Sequence, residues 1–239
     1  MLAKSPVIVL GSVKYGDSSI ILKTYSEEFG LLSFIAGGVR GKKGPLRTAM
    51  VQVLNQLDVV FYQNPRSELR RIKEVSISRT YQALPFDPYK NCISLFLAEV
   101  ISHFIREEEV NKPLYHYISS SLYRLDEVEE GTANFHLVFL YELSAFLGFA
   151  IQPPLDKPYF DLMEGEYTSV EPPHGHVLEG ELLKRWKELG VTSMERLSAL
   201  KLNGHNRLKL LDTLLTYYRL HLKDFGELKS LDVLHTVLH

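Results

Sequence analysis

The apolar pattern of this chain changes its period once. Up to residue 80, hydrophobic side chains alternate along short runs; from Pro88 onward they recur at helical spacing. A period of 2 builds half-buried strands and a period of 3.6 builds helices, and neither pattern serves the other element. The expected class is therefore α+β, with a β domain over residues 1–80 and a helical domain over residues 81–239. The boundary falls near Gln82–Pro88.

Five strands are expected in the first domain: Val7–Val13, Ser19–Tyr25, Leu31–Ala36, a fourth over Leu57–Tyr62, and Leu69–Ser78. In the fourth, Leu57, Val59 and Phe61 alternate with Asp58, Val60 and Tyr62. The fifth has mixed parity, which predicts a β-bulge. Lys14-Tyr15-Gly16-Asp17 and Asn64-Pro65-Arg66-Ser67 read as turns, and Leu46–Val53 as a short helix. Five strands with a small helix before the fourth fit a closed barrel of the OB type.

Beyond the boundary, Asp87 is placed to cap a helix with Pro88 at its first position, running to Glu109. Asn111-Lys112-Pro113 opens a second helix, with Leu114, Ile118, Leu122 and Leu125 on one face. Thr132 is expected to cap a third, Phe135–Leu147, which is apolar nearly all round and ends at Gly148; such a helix belongs inside a bundle. Prolines break residues 149–180 into an irregular insert with one small hairpin. Thr192-Ser193-Met194-Glu195 has capping-box spacing. A long helix carrying Leu208, Leu211, Leu215, Tyr218 and Leu222 follows, then a short one carrying Leu231, Leu234 and Leu238.

The composition excludes several classes. No apolar run reaches the roughly 18 residues of a membrane span, and the N-terminus lacks a secretory apolar core, so a cytoplasmic chain without membrane partners is expected. Cys92 is the one cysteine, which excludes an internal disulfide and a cysteine-rich metal site. Gly41-Lys42-Lys43-Gly44 has neither the spacing nor the hydroxyl of a phosphate-binding P-loop. The carboxylates of Glu107-Glu108-Glu109 and Asp126–Glu130 sit at helix ends as solvated faces do, rather than as the paired metal ligands of a nuclease. His174 and His176 lie near Asp156, Asp161, Glu164 and Glu171 but lack a thiolate partner, so neither metal nor cofactor is expected, nor any catalytic residue.

Charge is unevenly spread. Residues 1–80 carry 12 Lys/Arg against 6 Asp/Glu, and residues 81–239 carry 15 against 23, within a total of −2. The basic half holds a glycine-rich loop after the third strand with Arg40, Lys42, Lys43 and Arg47. Arg66, Arg70, Arg71 and Lys73 surround the last turn and strand. Cations on pliable loops beside a barrel suit a phosphate backbone read without sequence, with Tyr25 or Tyr62 as stacking aromatics.

The order of these parts resembles the RecO family of bacterial DNA repair. The matching residues are Tyr15-Gly16-Asp17, Thr24-Tyr25-Ser26-Glu27-Glu28-Phe29-Gly30, Ala36-Gly37-Gly38-Val39-Arg40, Leu147-Gly148 and Leu228-Lys229-Ser230, and the likeness covers essentially the whole chain. The resemblance implies an OB barrel, a helical domain and a zinc-ribbon-like insert. It also implies binding of single- and double-stranded DNA, annealing of complementary strands, and partnership with RecR. Docking on the acidic C-terminal tail of single-stranded-DNA-binding protein, SSB, would help to load RecA. Two departures stand out: the insert lacks the paired cysteines of many relatives, and Leu231 follows Lys229-Ser230 where arginine is common. An acidic peptide tail needs an apolar groove with a nearby cation, for which Phe139, Leu143 and Phe146 with Arg124 or Lys201 are the candidates. The competing reading is a protein-only adaptor whose barrel binds a peptide.

Overall fold

A computed structural model describes residues 1–16, 19–37, 46–63, 67–105, 110–223 and 225–238. The first five strands are β1 (Leu2–Tyr15), β2 (Ser19–Ser26), β3 (Gly30–Gly37), β4 (Gln56–Tyr62) and β5 (Leu69–Ile77). They close into a barrel of order β1-β2-β3-β5-β4, with β3 and β5 parallel and every other pair antiparallel. The interior is filled by alternate residues: Val7 and Val9, Leu22, Leu32 and Phe34, Leu57, Val59 and Phe61, and Ile72. Phe34 meets Phe61 edge-on at 5.2 Å.

β1 starts five residues before the expected strand because it serves two neighbours. Its first half pairs with β4, from Leu2 opposite Tyr62 to Ile8 opposite Gln56, and its second half with β2. A register shift between Val9 and Gly11 bends it from one partner to the other. The bulge expected in β5 is present: Val60 faces Glu74 and Phe61 faces Ile72, which leaves Lys73 as the extra residue. The segment before β4 forms a 3₁₀ turn, Thr48–Val51.

The helical part comprises α1 (Pro88–Phe104), α2 (Lys112–Glu127), α3 (Phe135–Phe146), α4 (Gly180–Gly190), α5 (Gly204–His221) and α6 (Leu231–Leu238). Asp87 caps α1 by accepting from the amides of Tyr89 (2.8 Å) and Lys90 (3.2 Å), and Asn111 caps α2 through the Leu114 amide at 3.0 Å. α1 stops at Phe104, short of the expected Glu109, and residues 106–109 lie outside the described set.

Three expectations are corrected. Thr132 does not cap α3, since Thr132–Asn134 form their own 3₁₀ turn behind Gly131 at φ 74°. The Thr192–Glu195 capping box starts no helix: the Thr192 hydroxyl donates to the Glu188 carbonyl at the end of α4, and Glu195 pairs with Arg124 at 2.8 Å. The insert holds three strands rather than one hairpin, with β6 (Tyr159–Asp161) between β7 (Glu166–Thr168) and β8 (Val177–Leu178).

The chain forms two compact units, one of Met1–Gln82 with Ala98–Tyr123, the other of Ala83–Leu97 with Arg124–His239. The first joins the barrel to α2, and its link is polar. The buried Gln56 amide donates to the Tyr81 hydroxyl (2.9 Å) and the Ser119 carbonyl (3.2 Å), while its oxygen accepts from the Ser119 hydroxyl at 2.6 Å. Tyr81 passes the chain on to the carbonyl of Leu54, a buried residue held at φ 66°. In the second unit α3 is buried nearly all round, as its composition predicts, and the Tyr218 hydroxyl on α5 donates to the Leu140 carbonyl at 2.8 Å.

Removing a buried amide leaves its partners unpaired, at about 1–3 kcal/mol. Gln56→Ala is accordingly expected to lower the urea midpoint clearly, while Gln52→Ala on the exposed turn nearby leaves it unchanged. Equal midpoints for the two variants would contradict the role given to Gln56.

Candidate nucleic-acid interface

Strand register sorts the outside of the barrel into rows. At one end, Leu31, Tyr25, Ile8 and Gln56 lie side by side across β3, β2, β1 and β4. α2 covers this row. The Tyr25 hydroxyl donates to the Asn111 carbonyl at 3.1 Å, its ring lies 6.0 Å from that of Tyr115, and Glu28 pairs with Lys112 at 2.6 Å. Burial pushes the Tyr115 phenol well above its usual range, with the charge of Glu27 adding to it. Tyr25 is 2% exposed, so it is structural and offers no stacking face.

Towards the opposite end runs a second row: Val13, Ile21, Ile35, Arg71, Tyr62 and Leu2. Its members point outward, and Tyr62 is 51% exposed. Arg71 sits directly across from Tyr62, so an exposed guanidinium and an exposed phenol ring are neighbours on one face. One step further along, Tyr15, Ser19 and Gly37 form the rim. The C-terminal ends of β3, at Gly37, and of β4, at Tyr62, both lie towards this end.

The eight predicted cations divide accordingly. Arg40, Lys42, Lys43 and Arg66 lie outside the described residues. Arg47 is exposed at the start of the 3₁₀ turn. Arg70 is half-buried and donates to the Glu68 carbonyl at 3.3 Å, and Arg71 is exposed. Lys73, the extra residue of the bulge, lies 3.2 Å from Glu74. Sequence reasoning passed over Lys4, Lys14 and Lys23, which are exposed on β1 and β2 and form no ion pair among the described residues. Their parity on the strands was legible; which rows α2 would leave uncovered was not.

The candidate peptide site is not assembled from the named side chains. Phe139 and Leu143 are fully buried, Phe146 is half-buried at the end of α3, and Arg124 is engaged by Glu195. Lys201 lies apart from these apolar residues, on a hollow of about 360 Å³ shared with Glu130, Asn134 and Arg207. Arg207 donates to the Asn134 side chain and to the Leu202 and Leu238 carbonyls, and burial pulls its guanidinium below the usual range.

Zinc does not suit the insert. A structural zinc takes about four nitrogen or sulfur ligands. His174 stands 3.2 Å from Asp161, whose other oxygen accepts from the amides of Met163 and Glu164, and no three candidate ligands converge among the described residues. Aromatic rings hold the insert instead. Phe160 lies 4.8 Å from Tyr167 and 5.4 Å from Trp186, and Tyr217 joins them from α5. Gly165, at φ 71°, admits the Tyr217 hydroxyl so closely that a Cβ would sit 2.5 Å from it.

The matches to known proteins follow the same two-part layout. The family model described as Recombination protein O N terminal matches residues 1–81, and Recombination protein O C terminal matches residues 85–232. This chain belongs to the RecO family. It is 39% identical to the DNA repair protein RecO of Bacteroides fragilis and 38% identical to that of Phocaeicola vulgatus, each over 98% of both chains. The RecO protein of Christiangramia forsetii is 35% identical over 99% of both. The family names this chain a DNA repair protein, and among the described residues no helix is long and apolar enough to cross a membrane.

If ring packing holds the insert, chelator leaves the melting temperature unchanged and elemental analysis finds no stoichiometric zinc. Gly165→Ala lowers that temperature, since a left-handed alanine costs about 1–2 kcal/mol before the clash with Tyr217 is counted. One zinc per chain, or an unaffected Gly165→Ala, would overturn this.

Proposed function

We propose that the chain is a non-enzymatic DNA-binding mediator of recombination. Residues 1–80 act as the DNA-binding domain, and residues 81–239, with the insert 149–180, as the helical one. The barrel holds single- or double-stranded DNA by its backbone, along the Arg71–Tyr62 row, with Arg40, Lys42, Lys43 and Arg66 adding positive charge. The observation that carries this reading is the pairing of exposed Arg71 with exposed Tyr62, on the face that α2 leaves open. Cations take phosphates without regard to sequence, and an aromatic face takes any base.

Annealing follows without a chemical step. Two strands repel through their phosphates, and screening that repulsion while the bases stay accessible lets complementary strands pair downhill. The acidic helical part is then free for protein partners. In this reading these are RecR and the acidic tail of SSB, through which RecA is loaded on SSB-coated DNA.

Labelled oligonucleotides test the proposal. Binding is expected to fall log-linearly with salt, with a slope of about −0.7 per phosphate contacted on single strands. Arg40→Glu/Lys42→Glu/Lys43→Glu and Arg71→Glu are expected to weaken binding to all sequences alike and to slow annealing. Tyr62→Ala is expected to cost about 1–3 kcal/mol on single strands, with little change in slope. Folded variants that bind and anneal like the parent would refute the site. Salt-independent binding would favour the peptide adaptor.

A further inference from the structure

The second unit carries an unneutralised cluster of its own. Lys157, Lys184 and Lys187 line a surface hollow of about 510 Å³, with Asp156 the one acid among the lining residues. Lys184 and Lys187 stand one turn apart on α4, and Lys157 lies just ahead of β6. The two glutamates that could neutralise them on α4 are taken: Glu181 and Glu188 both hold Arg185 at 2.8 Å. Among the described residues, none of the three lysines forms an ion pair.

Two of the ammonium groups are nonetheless fixed in place. Lys157 Nζ donates to the Tyr167 carbonyl at 2.7 Å. Lys187 Nζ donates to the Lys157 carbonyl at 2.9 Å and lies 5.6 Å from the centre of the Tyr167 ring. An ammonium has three donors, so each keeps two for a ligand. Carbonyls position a cation without cancelling its charge, and a half-buried lysine held this way has already lost much of its rotamer freedom. Lys184 is exposed and completes the triad from the rim.

We infer that this hollow binds a backbone phosphate of a nucleic-acid strand, as a second contact on the acidic part of the chain. The inference rests on the reading of the protein as a DNA binder. Three convergent point charges suit the spread charge of a phosphate, whereas a carboxylate is better matched by the planar fork of arginine. Two phosphate sites on one chain would let a strand engage both parts, or let two strands be held at once.

The test is the salt dependence of oligonucleotide binding by the full chain. Lys184→Glu is the first variant, because this exposed side chain makes no contact on which folding depends. Lys157→Gln/Lys187→Gln is the second, with a melting curve as the folding check. Lys209→Glu makes the same change in net charge as Lys184→Glu, at an exposed position on α5 outside the hollow. Each hollow variant is expected to bind at least about threefold more weakly, with a salt slope shallower by about 0.7 for each phosphate no longer neutralised, while Lys209→Glu keeps the parental slope. The site is overturned if Lys184→Glu matches the parent, or if Lys209→Glu matches Lys184→Glu. A parent that binds, an Arg71→Glu variant that is weakened and hollow variants that are not overturn the site alone. A parent that binds no oligonucleotide overturns the DNA-binding reading and the site with it.

Discussion

The buried amide of Gln56 is the joint on which the first unit depends. It ends a row of the barrel wall and commits its amide and its oxygen to Tyr81 and Ser119, so α2 cannot shift without leaving polar atoms unpaired out of water. Around it α2 adds weaker, exposed contacts: Lys112 with Glu28, and His116 with Glu27 at 3.1 Å. Exposed pairs of this sort add little stability and a good deal of register. With α2 held there, Tyr25 becomes core. The opposite row, with Tyr62 and Arg71, stays exposed.

That division turns an ordinary charge balance into a directed one. Closing the barrel brings the outward residues of β5 beside those of β4. The bulge leaves Lys73 without a cross-strand partner and turns Glu74 to the outer face beside it, where the two lie 3.2 Å apart. In the second unit packing again decides the outcome. The insert lacks the thiolates that would let a metal bind it together, and it packs Phe160, Tyr167, Trp186 and Tyr217 in their place. Burial pushes the Tyr167 and Tyr217 phenols up to about 12, so the cluster stays neutral through the physiological range.

Much of this was legible in the residues. Alternation located the five strands, and Asp87 and Asn111 announced their helices because a cap is a local match between one side chain and nearby amides. What failed depended on distant partners. Thr192–Glu195 has the spacing of a capping box, yet Arg124, remote in sequence, takes the glutamate. β1 looked half its length because residues 2–6 form a strand through β4 rather than through their own pattern. Tyr25 and Tyr62 were equivalent candidates for stacking, and α2 alone separates them. The cations of the loop after β3 could be named from sequence, whereas Lys157, Lys184 and Lys187 converge through tertiary packing that spacing does not encode.

The central claim is that α2 closes one end of the barrel and leaves the Arg71–Tyr62 row to nucleic acid. Covalent surface labelling read by mass spectrometry, with and without a single-stranded oligonucleotide, addresses it at both tyrosines in one experiment. The account predicts that Tyr25 is unreactive in both states, and that Tyr62 is reactive in the free protein and protected in the complex. A reactive Tyr25 that becomes protected, with Tyr62 unchanged, would contradict it.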